Sequence, residues 1–424
     1  MIDTRPRRER AFLIGVLLPG VAPEQLEEQM RELQELTRTA GGEVVAVEVQ
    51  RRDEVEPALF VGRGKVAEIR ERRADLQYDL LICNEDLSPR QQRNLEKELE
   101  TRVVDRTELI LDIFAQHART HEGRLQVESA QLHHLLPRLV GAYDYHRQMG
   151  GIGTRGGPGE AQIEVERRRI RRRMRDLEQE LAQVRAQRVQ QRAGRQRSDL
   201  ATVAIVGYTN AGKSTLINAL TDAGVRAEDA LFATLDPTTR RLHLPAGRDV
   251  LLTDTVGFIQ KLPTDLVAAF RATLEEVTFA DLVLHVVDAS AAAAQEQATT
   301  VDEILTELGA GDKPRVVALN KVDLLGPVTL RRAMRAFSER YPSLVPISAL
   351  RGAGLDALGD AIDGATADRY VALEVLVPYG REGVLQELRR YGDLERVEYT
   401  ERGTYARGRA PRELADRFRP YTTD

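Results

Sequence analysis

The chain has 424 residues, 42% hydrophobic and 30% charged, with a formal net charge of −5. This excludes a disordered chain, and no run of about eighteen uncharged apolar residues exists to form a transmembrane helix. The mild acidity argues against a protein that coats nucleic acid non-specifically but leaves room for a local basic patch.

At this length about three domains of ordinary size are expected. Cys83 is the sole cysteine, so no internal disulfide forms and a cytoplasmic protein is expected. Of 61 basic residues, six are lysines, at 65, 97, 213, 261, 313 and 321. In a sequence that otherwise writes positive charge as arginine, a lysine marks a place where a compact ammonium matters.

Residues 1–105 alternate short apolar runs with helical patterns. AFLIGVLL, EVVAVEV, DLLICN and RVVD read as strands; PEQLEEQMRELQEL, KVAEIRERR and PRQQRNLEKELE read as helices. This is the pattern of an α/β layer with a mostly parallel sheet. The basic and then apolar N-terminus reads as a first strand, not a secretory signal. Its apolar run is short, ends in Pro19-Gly20 and lacks a small-residue cleavage site. Gly62, Gly64 and Lys65 precede a helix and suggest either an anion site or an ordinary tight turn.

Residues 106–140 carry one long helical pattern, with Leu125, Leu132, Leu136 and Leu139 recurring on one face. From about 160 to 195, Ile163, Ile170, Leu177 and Val184 keep a seven-residue step, with Met174 and Leu181 between them. That is a coiled-coil seam, so 106–199 is expected to form a long antiparallel hairpin. Its tip, 141–159, holds seven glycines together with Tyr143, Tyr145, His146, Arg147 and Arg155. Nine arginines face three glutamates between 147 and 175. Arginine beside aromatics in a flexible segment suits RNA phosphates and unpaired bases; the alternative is a solvated helix face.

Residues 200–368 alternate strand and helix again, and VAIVG, DVLLTDT, LVLHVVDA, RVVALNK and LVPISAL suit buried parallel strands. Residues 369–424 read as a small β-α-β-β domain, with Gly403 in its hairpin turn.

Four motifs in 200–368 point to one chemistry. Gly207, Tyr208, Thr209, Asn210, Ala211, Gly212, Lys213 and Ser214 form G-x-x-x-x-G-K-S between a strand and a helix. The glycines let backbone amides wrap phosphates, Lys213 reaches the β- and γ-phosphates, and the Ser214 hydroxyl suits Mg²⁺. Asp254, Thr255, Val256 and Gly257 form D-x-x-G after the next strand. There Asp254 can hold Mg²⁺ through water and the Gly257 amide can meet the γ-phosphate. Asn320, Lys321, Val322 and Asp323 form N-K-x-D. The Asp323 carboxylate can accept two bonds from guanine, whereas adenine would leave it unpaired. Asn320 can address the other edge of the base, and the Lys321 stem can cover its face. Ser348, Ala349 and Leu350 follow another strand and suit a backbone contact to the guanine oxygen. Phe258 follows Gly257 where Ras-like enzymes carry a water-orienting Gln, so slow hydrolysis in isolation is expected.

These motifs resemble the signature of the translation-factor-related GTPases. On that resemblance Phe232, Ala233, Thr234, Leu235 and Asp236 are the first switch loop, and Thr234 is the second protein ligand to Mg²⁺. The whole chain resembles the HflX GTPases. LICNEDLSPRQQRNLE, VVDRTELILDIFAQHA, EGRLQVESAQL, GGIGTRGGPGE, FATLDPTTR and DTVGFIQKLP carry the likeness. The resemblance implies an N-terminal α/β domain, a helical hairpin, a Ras-like P-loop GTPase domain and a small α+β C-terminal domain. It implies GTP and GDP as substrate and product with Mg²⁺, a secondary ATPase activity, and a stress-linked factor that splits or rescues ribosomes. The implied partner is the large ribosomal subunit, probed by the hairpin tip, with ribosome-stimulated hydrolysis and no stable membrane insertion. Gln260 departs from the family, where arginine is expected. Two other readings use the same motifs: a GTPase that matures large-subunit rRNA without splitting, and a scaffold that dimerises through the coiled-coil seam. The expectation is a monomer.

Overall fold

The computed structural model describes residues 8–149, 158–196, 200–221, 231–232, 238–245, 247–259, 274, 276–367, 370–391, 393–411, 415 and 417–422. The chain forms two compact units. The first comprises Met1–Val184, Ala230–Leu235 and Gln260–Arg271, and the second Arg185–Asp229, Asp236–Ile259 and Ala272–Asp424.

The first unit opens with β1 (Arg10–Leu17), α1 (Pro23–Thr39), β2 (Glu43–Arg51), α2 (Arg63–Glu71) and α3 (Arg73–Leu76). There follow β3 (Leu80–Cys83), α4 (Pro89–Leu99), β4 (Arg102–Asp105), α5 (Arg106–His117) and α6 (His121–Met149), and α7 (Pro158–Gln196) begins in it. The four strands pair in parallel in the order β2-β1-β3-β4, as the alternation of apolar runs and helices requires. Phe12, Ile14, Leu81, Cys83, Leu95, Leu99 and Val103 are buried together against Val66 and Ile69 of α2. Each large side chain removed from water in this way contributes on the order of 2 kcal/mol.

Helix starts are written locally. Pro89 opens α4 behind Ser88, whose hydroxyl accepts from the Gln91 amide while the Gln91 side chain accepts from the Ser88 amide. Asp105 is fully buried and caps α5 by accepting from the Glu108 amide at 2.8 Å. The same carboxylate accepts from the Leu87 amide at 3.2 Å and pairs with Arg138 of α6. One buried charge thereby ties the end of β4, the loop before α4 and the fifth turn of α6 into a single point, with hydrogen-bond partners on both of its oxygens.

The helical pattern expected over 106–140 is two helices. Ala118 is extended, and the Thr120 hydroxyl accepts from the Gly123 amide at 3.0 Å to start α6. A small polar residue that caps has ended one helix and begun another without disturbing the apolar period. α6 also runs to Met149, so the backbone of 141–149 is helical. Within that stretch only Gly141 opposes a helix, at a cost of roughly 1 kcal/mol, and the glycine cluster proper starts at 150. Residues 150–157 lie outside the described residues.

The second unit holds β5 (Ala201–Gly207), α8 (Lys213–Thr221), β6 (Thr239–His243), β7 (Asp249–Asp254), β8 (Leu282–Asp288), α9 (Ala294–Glu307), β9 (Arg315–Asn320), α10 (Pro327–Ser338), β10 (Leu344–Pro346) and α11 (Leu355–Thr366). Its sheet runs β10-β9-β8-β5-β7-β6, parallel except for β6. β6 was not expected. TRRLH is polar because an edge strand is half solvated, and it lacks the apolar run of its neighbours. β5 has β8 on one side and β7 on the other, which makes its carboxyl end the place where crossovers diverge.

β11 (Tyr370–Val377), α12 (Glu382–Tyr391), β12 (Asp393–Thr400) and β13 (Gly403–Pro411) close the chain as an antiparallel sheet β11-β13-β12. Gly403 has φ 148°, and a Cβ there would stand 2.3 Å from the Val377 carbonyl oxygen. Only glycine fits that turn.

Candidate nucleotide-binding site

The phosphate end of the site is the loop from β5 to α8. Gly207 has φ 155°, and an added Cβ would stand 2.3 Å from the Val286 carbonyl oxygen of the neighbouring strand. Gly212 has φ 94°, and a Cβ there would meet Asn320 Nδ2 at 2.3 Å. Asn210 also takes positive φ, at 59°, and Ala211 is buried beneath the loop. The loop is thus held in a tight turn that leads directly into the N-terminus of α8, the kind of place that receives an anion.

Lys213 is the first residue of α8 and is buried. Its Nζ donates to the carbonyls of Gly207 at 3.1 Å and Tyr208 at 2.9 Å. Burial lowers its pKa to about 8, against the pull of the Asp254 carboxylate. Ser214 follows it on the first turn of the helix and is half-buried. Asp254 ends β7 at 4% exposure, next to the fully buried Thr255, whose hydroxyl donates to the Ile205 carbonyl at 2.6 Å. That bond seats Val256 and Gly257 beside β5. A Cβ on Gly257 would stand 2.9 Å from Lys213 Nζ and 3.0 Å from Thr209 Cγ2.

Phe258 is buried at 1% exposure. Its carbonyl accepts from the Thr209 amide at 2.7 Å, and its amide donates to the Gly207 carbonyl at 3.1 Å. The residue that stands where a catalytic amide is expected is therefore packed inward and stitched to the phosphate loop.

The other end of the site lies at the carboxyl ends of β9 and β10. Asn320 is buried, and both ends of its amide are engaged. Nδ2 donates to the Ala211 carbonyl at 2.9 Å, and Oδ1 accepts from the Ala349 amide at 3.0 Å. It braces the phosphate loop against the loop after β10, where a direct contact to a base was expected. Lys321, at φ 61°, pairs with Asp288 at 2.8 Å. Asp288 was not anticipated, although it ends the strand that pairs with Asn320 in register, and strand ends in a parallel sheet carry the site. Asp323 accepts from the Ser348 hydroxyl at 2.7 Å, and that bond lowers its pKa. Val322 is half-buried, and Leu350 is 80% exposed. The arrangement offers one carboxylate held in its charged form beyond the end of β9, with an anion-receiving loop two strands away at the end of β5.

Phe232 lies in the first unit, at φ 58° and 2% exposure, edge-on to Phe114 with ring centroids 4.6 Å apart. Ala233, Thr234, Leu235, Asp236 and Gln260 lie outside the described residues. No group of three or more His, Cys, Asp or Glu gathers to hold a metal among the described residues.

Gly62 and Lys65 make a turn, not an anion site. The Gly62 amide donates to the Gln50 side chain at 2.8 Å, and Lys65 pairs with Glu48 at 3.0 Å and Glu68 at 2.7 Å. Tyr143, Tyr145, His146 and Arg147 are on the α6 backbone with side chains outside the described residues, as is the whole of Arg155. On α7, Arg173 grips Glu128 of α6 through two bonds of 2.7 and 2.8 Å. Arg168, Arg169, Arg171, Arg172 and Arg175 are exposed. Ile170 and Leu177 of the seven-residue step are buried. No helix among the described residues is long and apolar enough to cross a membrane.

Three family models match the chain: GTP-binding GTPase N-terminal over residues 27–115, GTP-binding GTPase middle region over 117–195, and 50S ribosome-binding GTPase over 202–321. The GTPase HflX of Caldanaerobacter subterraneus subsp. tengcongensis is 44% identical over 415 residues, 98% of this chain and 94% of that one. The GTPase HflX of Escherichia coli is 44% identical over 378 residues, 88% of this chain and 87% of that one. A solved structure of a GTP-binding protein from Sulfolobus solfataricus in complex with GDP is 25% identical. The match covers 85% of this chain and 99% of that one, with a TM-score of 0.45.

Proposed function

The chain belongs to the HflX family of GTPases, and from that premise we propose that it binds the large ribosomal subunit in its GTP state and splits or rescues stalled or hibernating ribosomes. It is a GTP-hydrolysing enzyme, and hydrolysis resets the binding state.

The observation that carries the ribosome reading is the arginine face of α7. Five exposed arginines lie within eight residues, while Arg173 and the buried Ile170 and Leu177 hold the helix on its other side. Of the five, Arg168 has Glu164 within 3.8 Å, and so exposed a row of guanidinium groups suits a phosphodiester surface. α6 has 29 residues, so it extends roughly 43 Å toward the glycine-rich connection. An antiparallel hairpin of that length, with Tyr143, Tyr145, His146, Arg147 and Arg155 at its tip, suits a probe of rRNA.

In the nucleotide site, Lys213 and the loop amides hold the β- and γ-phosphates, Gly257 reports the γ-phosphate, and Asp323 selects guanine. Ser214 and Thr234 would hold Mg²⁺, with Asp254 acting through water; a hydroxyl and carboxylate donor set suits a hard cation. The ion supplies charge neutralisation on the phosphate oxygens when bound. Phe258 contributes no polar group, so the free protein turns over slowly and the ribosome completes or orders the site. A monomeric cytoplasmic factor fits this role.

Co-sedimentation with isolated subunits tests the reading. Binding to large subunits with a non-hydrolysable GTP analogue, and weak binding with GDP, is the expected result. Equal binding in both nucleotide states, or preference for small subunits, overturns it.

A further inference from the structure

One buried hydroxyl of the phosphate loop has no hydrogen-bond partner among the described residues. It is Oγ1 of Thr209, a residue 6% exposed. Buried hydroxyls are nearly always paired, and an exception at a site is a sign of a partner that arrives with the ligand. The Thr209 amide is already bonded to the Phe258 carbonyl at 2.7 Å, which ties the residue to the segment that carries Gly257.

Its position is defined by Gly257 and Lys213. The point where a Cβ on Gly257 would stand is 2.9 Å from Lys213 Nζ, 3.0 Å from Thr209 Cγ2 and 3.2 Å from Thr209 Cα. Three groups therefore close around one spot. On the reading above, two of them contact the γ-phosphate. The third carries a hydroxyl on the same Cβ as the methyl that touches Gly257.

We propose that the Thr209 hydroxyl acts on the terminal phosphoryl group, in place of the side-chain amide that Phe258 does not supply. It accepts a hydrogen bond from the attacking water and donates its own to a γ-phosphate oxygen. In the step itself the water oxygen bonds to the γ-phosphorus and the bond to the bridging β–γ oxygen breaks. The water proton passes to a phosphate oxygen, GDP departs, and Thr209 is unchanged. Because the hydroxyl aligns water and not the ground-state nucleotide, its loss falls on turnover more than on affinity. The inference rests on the placement of Lys213 and Gly257 at the γ-phosphate, and an affinity measurement made in parallel separates the two.

The test uses the full chain with Thr209→Val, which keeps the shape and removes the hydroxyl, and Thr209→Ser, which keeps the hydroxyl and removes the methyl. GTP affinity is read with a fluorescent GTP analogue, and hydrolysis by single turnover with and without ribosomes. Thr209→Val is expected to bind within about threefold of the parent and hydrolyse at least tenfold more slowly in both conditions, the scale of one lost transition-state hydrogen bond. Thr209→Ser is expected to stay within about threefold in both readouts. Parental turnover in Thr209→Val overturns the proposal. So does loss of affinity in step with turnover, which marks a structural role. A Ser variant as impaired as the Val variant also overturns it, because the methyl and not the hydroxyl would then be what matters.

Discussion

Ser348 donates its hydroxyl to Asp323 Oδ1 at 2.7 Å, joining the loops after β9 and β10 at the one carboxylate proposed to read the base. The bond holds Asp323 ionised, with its pKa lowered, and fixes one of its two oxygens in place. Arg351 stands at 3.5 Å from the other oxygen and can turn aside, since its side chain is 69% exposed.

Asp323→Asn is therefore expected to weaken GTP binding by at least tenfold, because the amide offers a donor where guanine also offers one. Xanthosine nucleotide, which carries an acceptor there, should recover part of the loss. Titration with fluorescent nucleotides checks this, and unchanged GTP affinity in Asp323→Asn contradicts the assignment.

Lys213→Ala is expected to abolish hydrolysis with or without ribosomes, by removing the charge that meets the β- and γ-phosphates. The fold should survive, since among the described residues Nζ is bonded to two carbonyls of its own loop and to no other element. Thermal melting and phosphate release measured on the same preparation separate the two effects. Parental turnover in this variant refutes the placement of the phosphates.

The parent itself should hydrolyse GTP slowly and be accelerated strongly by large subunits. Phe258 packs inward and offers the water no side-chain amide of its own. A purified protein as fast alone as with ribosomes would contradict this.

His285 on β8 gives a pH-dependence with a defined sign. Burial, reinforced by the charges of Arg315, Arg340 and Lys213, lowers its pKa to about 3. Asp302 lies 3.9 Å from Nδ1, but Arg315, Arg340 and the Tyr341 hydroxyl already engage that carboxylate. The unfolded chain takes up the proton near 6.5 and the folded one only near 3, so stability is lost as pH falls through that window. Between pH 6.5 and 5 the loss is about 1–2 kcal/mol. In His285→Leu the unfolding midpoint should fall less steeply over that range; an unchanged slope contradicts the assignment, whatever the variant does to stability itself.

On α7, replacing Arg168, Arg171 and Arg172 with Glu should weaken large-subunit binding. It should also flatten the dependence on salt by roughly one unit of log–log slope per lost phosphate contact. GTP affinity, measured alongside, should not change. Binding that keeps its salt slope would assign these arginines to solvent.

The strands of both parallel sheets were legible because buried strands are apolar runs, and the phosphate loop because its glycines, lysine and serine are contiguous. What stayed hidden depends on neighbours distant in sequence. β6 is polar because it is an edge. The break at Ala118–Thr120 keeps the apolar period and shows only in the capping hydroxyl. Asn320 reads as a base contact, yet Ala211 and Ala349, 109 and 29 residues away, take both ends of its amide. Asp288 becomes part of the site only through the register of β8 with β9. The orphaned hydroxyl of Thr209 is a property of packing, and no spacing of residues announces it.

On the function proposed above, GTP binding drives separation of joined ribosomes. Sedimentation of intact ribosomes with the full chain and a non-hydrolysable GTP analogue tests it most directly. Material should shift from the joined peak to separate subunits, with the protein on the large subunit, and no shift should occur with GDP. Ribosomes that stay joined while the protein binds free large subunits would contradict splitting and leave the chain a GTPase of large-subunit maturation.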